Sequence, residues 1–210
     1  MAKGKEAKKL DTSTEEKIKE AARAVFHKKG YAATRTRDIA AEAGINLALL
    51  NYYFRSKEKL FDIIMLETVF GFMQNMAMVL NDEKSSLEEK VELIASNYID
   101  LLTKEPNIPI FMLSEIRNNA GGLLEKLPIR QLVMNSIFFK QHQEAVAKGK
   151  IVEPSPMHFL MNLLSLVIFP FIAQPLLQGI SGLHETQFNK LMQERKKLIP
   201  VWVKAIMKSK

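Results

Sequence analysis

From Thr34 to Lys59 the chain reads TRTRDIAAEAGINLALLNYYFRSKEK, a stretch dense in groups that hold phosphate and touch base edges. Tyr52, Tyr53, Arg55 and Lys57 cluster hydroxyl and cationic donors within six residues. Catalytic chemistry is not indicated. No nucleophile–base constellation is visible, and no Gly-rich phosphate loop precedes a helix. His27, His142, His158 and His184 are too scattered for metal-ligand spacing, and there is no cysteine. The residue types point to a binding protein with no cofactor and no metal, rather than an enzyme.

Those donors need a scaffold, and the local pattern supplies one. Thr36 can cap a first short helix, with Asp38 in its first turn where the helix dipole favours negative charge. Ile39, Ala40 and Ala43 give it one small apolar face. Gly44 ends the helix, since glycine alone takes a left-handed backbone without steric cost. Asn46 caps a second helix over residues 47–54. Leu50 and Phe54, four apart, look inward; Asn46, Leu47, Ala48, Asn51 and Tyr52 remain on or near the outer face. Helix, glycine turn, helix is the helix-turn-helix layout, whose second helix is sized for a DNA major groove. The spacing alone also fits an ordinary helical hairpin. Charge favours DNA: residues 1–60 hold 14 Lys and Arg against 8 Asp and Glu, whereas the other 150 are nearly balanced.

Residues 14–60 resemble the DNA-binding domain of the tetracycline-repressor (TetR) family of bacterial regulators. The resemblance rests on KKGYAATRTRDIA, the turn EAGIN and the segment LALLNYYFRSKEKLF, in that order. Asn51 stands where many members carry tyrosine and Tyr53 where many carry histidine. The resemblance implies an all-α fold with an N-terminal three-helix helix-turn-helix domain and a C-terminal ligand-binding and dimerisation domain. It implies DNA contacts from Thr34, Arg35, Thr36, Asn46, Leu47, Ala48, Leu49, Asn51, Tyr52, Tyr53 and Lys57.

Along the chain, the expected organisation is a disordered basic arm (1–11), a DNA-binding domain (12–60) and an effector-binding and dimerisation domain (61–210). The arm has no apolar region of a secretory signal, and absence of cysteine fits a bacterial cytoplasm. Ser13 with Glu16 fits a capping box for a first helix to Lys29, stopped by Gly30. Ser56 caps a long helix to about Leu80. The fifth helix carries Leu87, Val91, Ile94, Tyr98 and Leu101 and stops at Pro106 and Pro109. A short sixth follows over Ile110 to Arg117, and Asn118 to Gly122 then reads as a flexible loop, the candidate for a mobile gate. Pro128 to Ala147, about Pro156 to Gln178, and His184 to Lys208 complete about nine helices, without strands or repeats.

The run from Phe159 to Leu177 is apolar nearly all round, but Asn162, Ser165, Gln174, Pro170 and Pro175 argue against a membrane span. A helix of this kind is buried on several sides. By the resemblance, the last two helices build a homodimer interface, with Phe159, Leu163, Leu166, Phe169, Phe188, Leu191, Arg195, Leu198 and Trp202 as candidates. Two-fold pairing offers two recognition helices to a palindromic operator. Ten of eleven methionines lie after residue 60, which suits either plain core filling or a pocket for varied apolar ligands. The resemblance implies a small apolar or amphipathic effector between the middle helices. Candidate lining residues are Phe72, Met76, Tyr98, Phe111, Met112, Glu115, Asn135 and Phe139. The expectation is a double-stranded-DNA-binding regulator, a repressor released by its effector. A constitutive DNA-binding protein, or a helical ligand-binding or adaptor protein with a vestigial helix-turn-helix, are the alternatives.

Overall fold

In the computed structural model α1 spans Lys3–Ala33, running through the weaker helix formers Asp11 to Thr14 into the Glu-, Lys- and Ala-rich stretch that follows. The structure describes residues 3–127 and 129–208. α1 begins inside the stretch expected as an arm, of which residues 1 and 2 lie outside the described residues. Ser13 and Glu16 therefore fall inside a helix instead of capping its start. Gly30, at φ 74° and ψ 160°, adopts a backbone open essentially to glycine alone and interrupts α1 near its end.

Eleven helices and no strands make up the described residues. After α1 come α2 (Thr36–Glu42), α3 (Leu47–Tyr53), α4 (Lys57–Asn81), α5 (Leu87–Lys104), α6 (Ile108–Lys126) and α7 (Ile129–Met134). They are followed by α8 (Ile137–Ala147), α9 (Pro156–Ile172), α10 (Gln174–Ser181) and α11 (Glu185–Lys208). The chain is all-α, as the sequence implies, and two expected helices are each divided. The Ser136 hydroxyl accepts the Phe139 N–H at 3.3 Å, capping α8 and separating it from α7; Pro128, the expected start of this segment, lies outside the described residues. Pro175, which lacks an N–H and suits a first turn, opens α10, and α9 and α10 are bent by 68°. The expected gate at Asn118 to Gly122 is a correction in the other direction, because α6 runs through it without a break. Glycine costs a helix only about 1 kcal/mol relative to alanine, and neither Gly121 nor Gly122 takes a positive φ.

The chain divides into two units, Met1–Val69 and Phe70–Lys210. In the first, α1 packs on α2 and α2 on α3, burying Ile18, Ala22, Phe26, Ile39, Leu50 and Phe54. The rings of Phe26 and Tyr31 meet Phe61 at 5.2 and 4.5 Å. Lys19 on α1 reaches Glu67 at 2.7 Å and Arg23 donates to the Thr68 hydroxyl at 2.7 Å, tying α1 to the middle of α4.

In the second unit α5 is the central helix, covered by α8, α9 and α11, with Val91, Ile94, Ala95, Ile99 and Leu102 buried. Lys90 is wholly buried, and its ammonium donates to the Ser85 carbonyl at 2.7 Å and hydroxyl at 2.8 Å, pegging the turn before α5. His142 on α8 is also wholly buried; its ring lies 5.0 Å from Phe159 and neither nitrogen has a hydrogen-bond partner among the described residues. Burial pushes its pKa below the ordinary value, while Glu153 pulls the other way. A base with a depressed native pKa stays neutral in the fold while the unfolded chain takes up a proton at about 6.5, so stability falls as pH drops through that value. Thermal melts from about pH 7 to pH 5 should show a falling midpoint, and His142→Leu should flatten that decline. A decline of equal size in the variant would assign it to other groups.

Candidate nucleic-acid interface

The reversal between α2 and α3 is built from two backbone hydrogen bonds and one cap. Gly44 N–H donates to Ala41 at 3.1 Å and Ile45 N–H to Ala40 at 3.0 Å, closing the end of α2 around a glycine at φ 63°. The Asn46 side chain then accepts the Leu49 N–H at 2.8 Å and starts α3, a cap worth about 1 kcal/mol. At the other end of α2 the cap differs from expectation. Arg35 occupies the capping position and Thr36 is already helical, while the Asp38 carboxylate accepts the Arg35 N–H at 3.0 Å. That hydrogen bond and Lys29, 3.2 Å away, hold the Asp38 carboxyl below the usual carboxylate range. Ser56 caps α4 by accepting the Lys59 N–H at 3.1 Å, as expected.

Leu50 and Phe54 are buried under α3, so the opposite side of the helix faces outward. Asn46, Leu47, Ala48, Asn51 and Tyr52 are all exposed, with Tyr52 at 79%. Leu49 and Tyr53 are half-buried flanks, and the Tyr52 and Tyr53 rings meet edge-on at 5.5 Å. Arg35 is exposed and Thr36 half-buried beside them. Two expected contacts turn inward. Thr34 is 2% exposed, and its hydroxyl donates to the Gly30 carbonyl at 2.7 Å. Lys57 donates to the carbonyls of Tyr31 and Thr34 at 2.8 and 2.9 Å, with its ammonium 4.3 Å from the centre of the Tyr31 ring. Both close the α1–α2 connection in place of offering a surface. Arg37, missed as a site residue, and Arg55 are exposed cations with no ion pair among the described residues. Arg37's signal in the sequence was a positive charge in the first turn of α2, where the helix dipole disfavours it.

The eight expected pocket residues lie on α4, α5, α6, α8 and the turn before α8. The Phe72 and Tyr98 rings meet edge-on at 4.6 Å, and burial pushes the Tyr98 phenol up to about 12. Met76, Phe111 and Phe139 are buried, Met112 and Glu115 half-buried. Asn135 is exposed in the turn before α8, so it is not an interior polar group. Among the described residues, grooves of about 840, 640 and 230 Å³ are lined from α5, α8, α11 and adjoining turns, and these three do not include the eight.

Of the expected dimer residues, Phe159, Leu163 and Phe188 are buried in the second unit's own core. Phe169 (59% exposed), Leu191 and Leu198 remain uncovered, joined by Met161, Leu176, Ile180 and Val201, which sequence reading missed. Leu166, Arg195 and Trp202 are half-buried. The Arg195 guanidinium donates to the Leu166 carbonyl at 2.6 Å and lies 5.0 Å from the centre of the Trp202 ring.

A family model described as bacterial regulatory proteins, tetR family, matches residues 18–64. Over 208 residues the chain is 24% identical to a protein of Bacillus subtilis (strain 168) named "Probable HTH-type transcriptional regulator YttP", covering 95% of this chain and 97% of that one. It is 28% identical over 110 residues to the fatty acid metabolism regulator protein of the same organism, covering 52% of this chain and 56% of the relative. Among solved structures, the transcriptional regulator FadR from Bacillus subtilis in complex with stearoyl-CoA shares the fold. Its TM-score is 0.54 at 20% identity, over 87% of this chain and 96% of that one.

The inward and outward cations should separate experimentally. Lys57→Met should lower the melting temperature and weaken DNA binding while leaving the slope of log affinity against log salt unchanged. Arg55→Gln should reduce that slope by about 0.9, one phosphate contact, with little change in melting. A reduced slope in the Lys57 variant would show that its ammonium leaves the two carbonyls for DNA.

Proposed function

The chain belongs to the tetR family of bacterial regulatory proteins and is a DNA-binding transcriptional regulator; from that premise we propose that it is a cytoplasmic repressor, bound as a homodimer to a palindromic operator and released by an amphipathic effector. The observation that carries the reading is the outer face of α3, where Leu47, Ala48, Asn51 and Tyr52 are exposed above the buried Leu50 and Phe54. These four side chains reach the bases, and Arg35, Arg37 and Arg55 hold the phosphate backbone. A second copy covers the apolar strip of Phe169, Ile180, Leu191, Leu198 and Val201. Half-sites then lie one helical turn apart, roughly 34–36 Å, or a multiple of it.

Family members bind small ligands, and the fold-sharing Bacillus regulator is known in complex with stearoyl-CoA. A long-chain acyl thioester is therefore the effector class we assign. Linkage requires it to bind the DNA-free state better; a coupling of about 1–3 kcal/mol changes DNA affinity roughly 5–150-fold.

Selection of duplexes from a random library tests the proposal. Two-fold symmetric sites should be enriched, and Asn51→Ala or Tyr52→Ala should relax preference at defined positions. A lost base contact there should cost about 1–3 kcal/mol. Stearoyl-CoA should then raise the dissociation constant for the selected site. Asymmetric sites would overturn the dimeric reading, and an unchanged constant with stearoyl-CoA would leave constitutive binding.

A further inference from the structure

In the second unit, the first turn of α5, the last turn of α8 and the last turn of α11 frame a groove of about 840 Å³, a size typical of small-molecule sites. Its floor is apolar. Leu87, Ile151 and Met207 are buried there, and the half-exposed Val152 forms a wall. The floor is also pinned, because Val152 N–H donates to the Met207 carbonyl at 2.9 Å and Gln141 in the wall donates to the Ser85 carbonyl at 2.8 Å.

The rim carries four lysines against two glutamates. Lys148 and Lys204 each meet one exposed carboxylate, Glu144 at 3.4 Å and Glu88 at 3.3 Å; single exposed pairs of this kind are weak and yield to a competing anion. Lys150 and Lys208 are exposed and have no ion pair among the described residues. Apolar floor and cationic rim together select a ligand with the opposite arrangement. A bare phosphate leaves the floor wet, and a neutral or cationic chain leaves the rim uncompensated.

We propose that this groove binds an anionic amphiphile, a carboxylate or phosphate head on an aliphatic chain, with the head between Lys150 and Lys208 and the chain on Leu87, Ile151 and Met207. The site shares no residue with the eight first expected to line an interior pocket. It goes beyond the repressor reading, since the groove's lining alone argues for it and that reading assigns no effector site.

Calorimetric titration of the full-length protein with sodium dodecanoate and with dodecyl phosphate, each below its critical micelle concentration, tests it. Binding should saturate at one molecule per chain. The double variant Lys150→Glu, Lys208→Glu should weaken it at least tenfold, and Val152→Trp, which fills the groove, should do the same. Melting curves and circular dichroism establish that the variants fold. Dodecyltrimethylammonium should not bind, and inorganic phosphate should not compete. Whichever head binds tighter identifies the carboxylate or phosphate source. The proposal is overturned by affinity unchanged in both variants, by equal binding of the cationic chain, or by titration that never saturates. Wild-type protein that selects an operator yet binds neither amphiphile would sink this site alone.

Discussion

One backbone reversal governs what the N-terminal unit can present. At Gly44 the chain takes a left-handed conformation at φ 63°, and the two amides that follow α2 fold back onto its last carbonyls. A residue with a Cβ costs roughly 1–2 kcal/mol in that conformation. The turn sets the angle at which α3 leaves, and the Asn46 cap sets where it starts. α3 has only seven residues, far below the length at which a helix persists in water on its own. Its existence depends on its packing against α2 and on the burial of Leu50 and Phe54, each burial contributing about 1.5–3 kcal/mol.

The same logic of small polar pegs recurs in both units. Lys57 uses its ammonium to bind two carbonyls at the α1–α2 connection, and Lys90 binds the carbonyls of Asp82 and Ser85 at the turn before α5. In each case a long side chain closes a loop whose backbone oxygens would otherwise lack donors, which is costly wherever water is excluded. Both lysines are cations that sequence arithmetic counts toward surface charge. Only geometry reveals that they are turned inward. His142 is the opposite case, a polar ring buried without a partner, and a conditional weakness in the core of the second unit.

Much of the helix-turn-helix was legible because short-range chemistry dictates it. Gly44, Asn46 and Ser56 do what their residue types do in peptides, and the spacing of Leu50 and Phe54 names the buried face without reference to the rest of the chain. What failed was long-range or competitive. Thr36 lost the capping position to Arg35 because Asp38 reaches back to the preceding amide. Thr34 looked like a surface donor until Gly30 folded over its hydroxyl. Asn118 to Gly122 looked like a loop by composition, and the helix simply continued. The split at Ser136 was available in principle, since serine before an apolar run is a start signal, but a neighbouring helical pattern masked it. Whether the middle helices enclose a pocket depends on which of them face one another, and no local pattern carries that.

On α3 the residues that hold the helix and the residues that face out are disjoint sets, interleaved in a single seven-residue segment. Substitutions at Ala48 and Asn51, and to a lesser extent at Leu47 and Tyr52, therefore disturb the scaffold's packing little, while those at Leu50 or Phe54 dismantle it. A lineage carrying this domain can change the surface that α3 displays by exchanging exposed side chains, at little thermodynamic penalty to the fold beneath them.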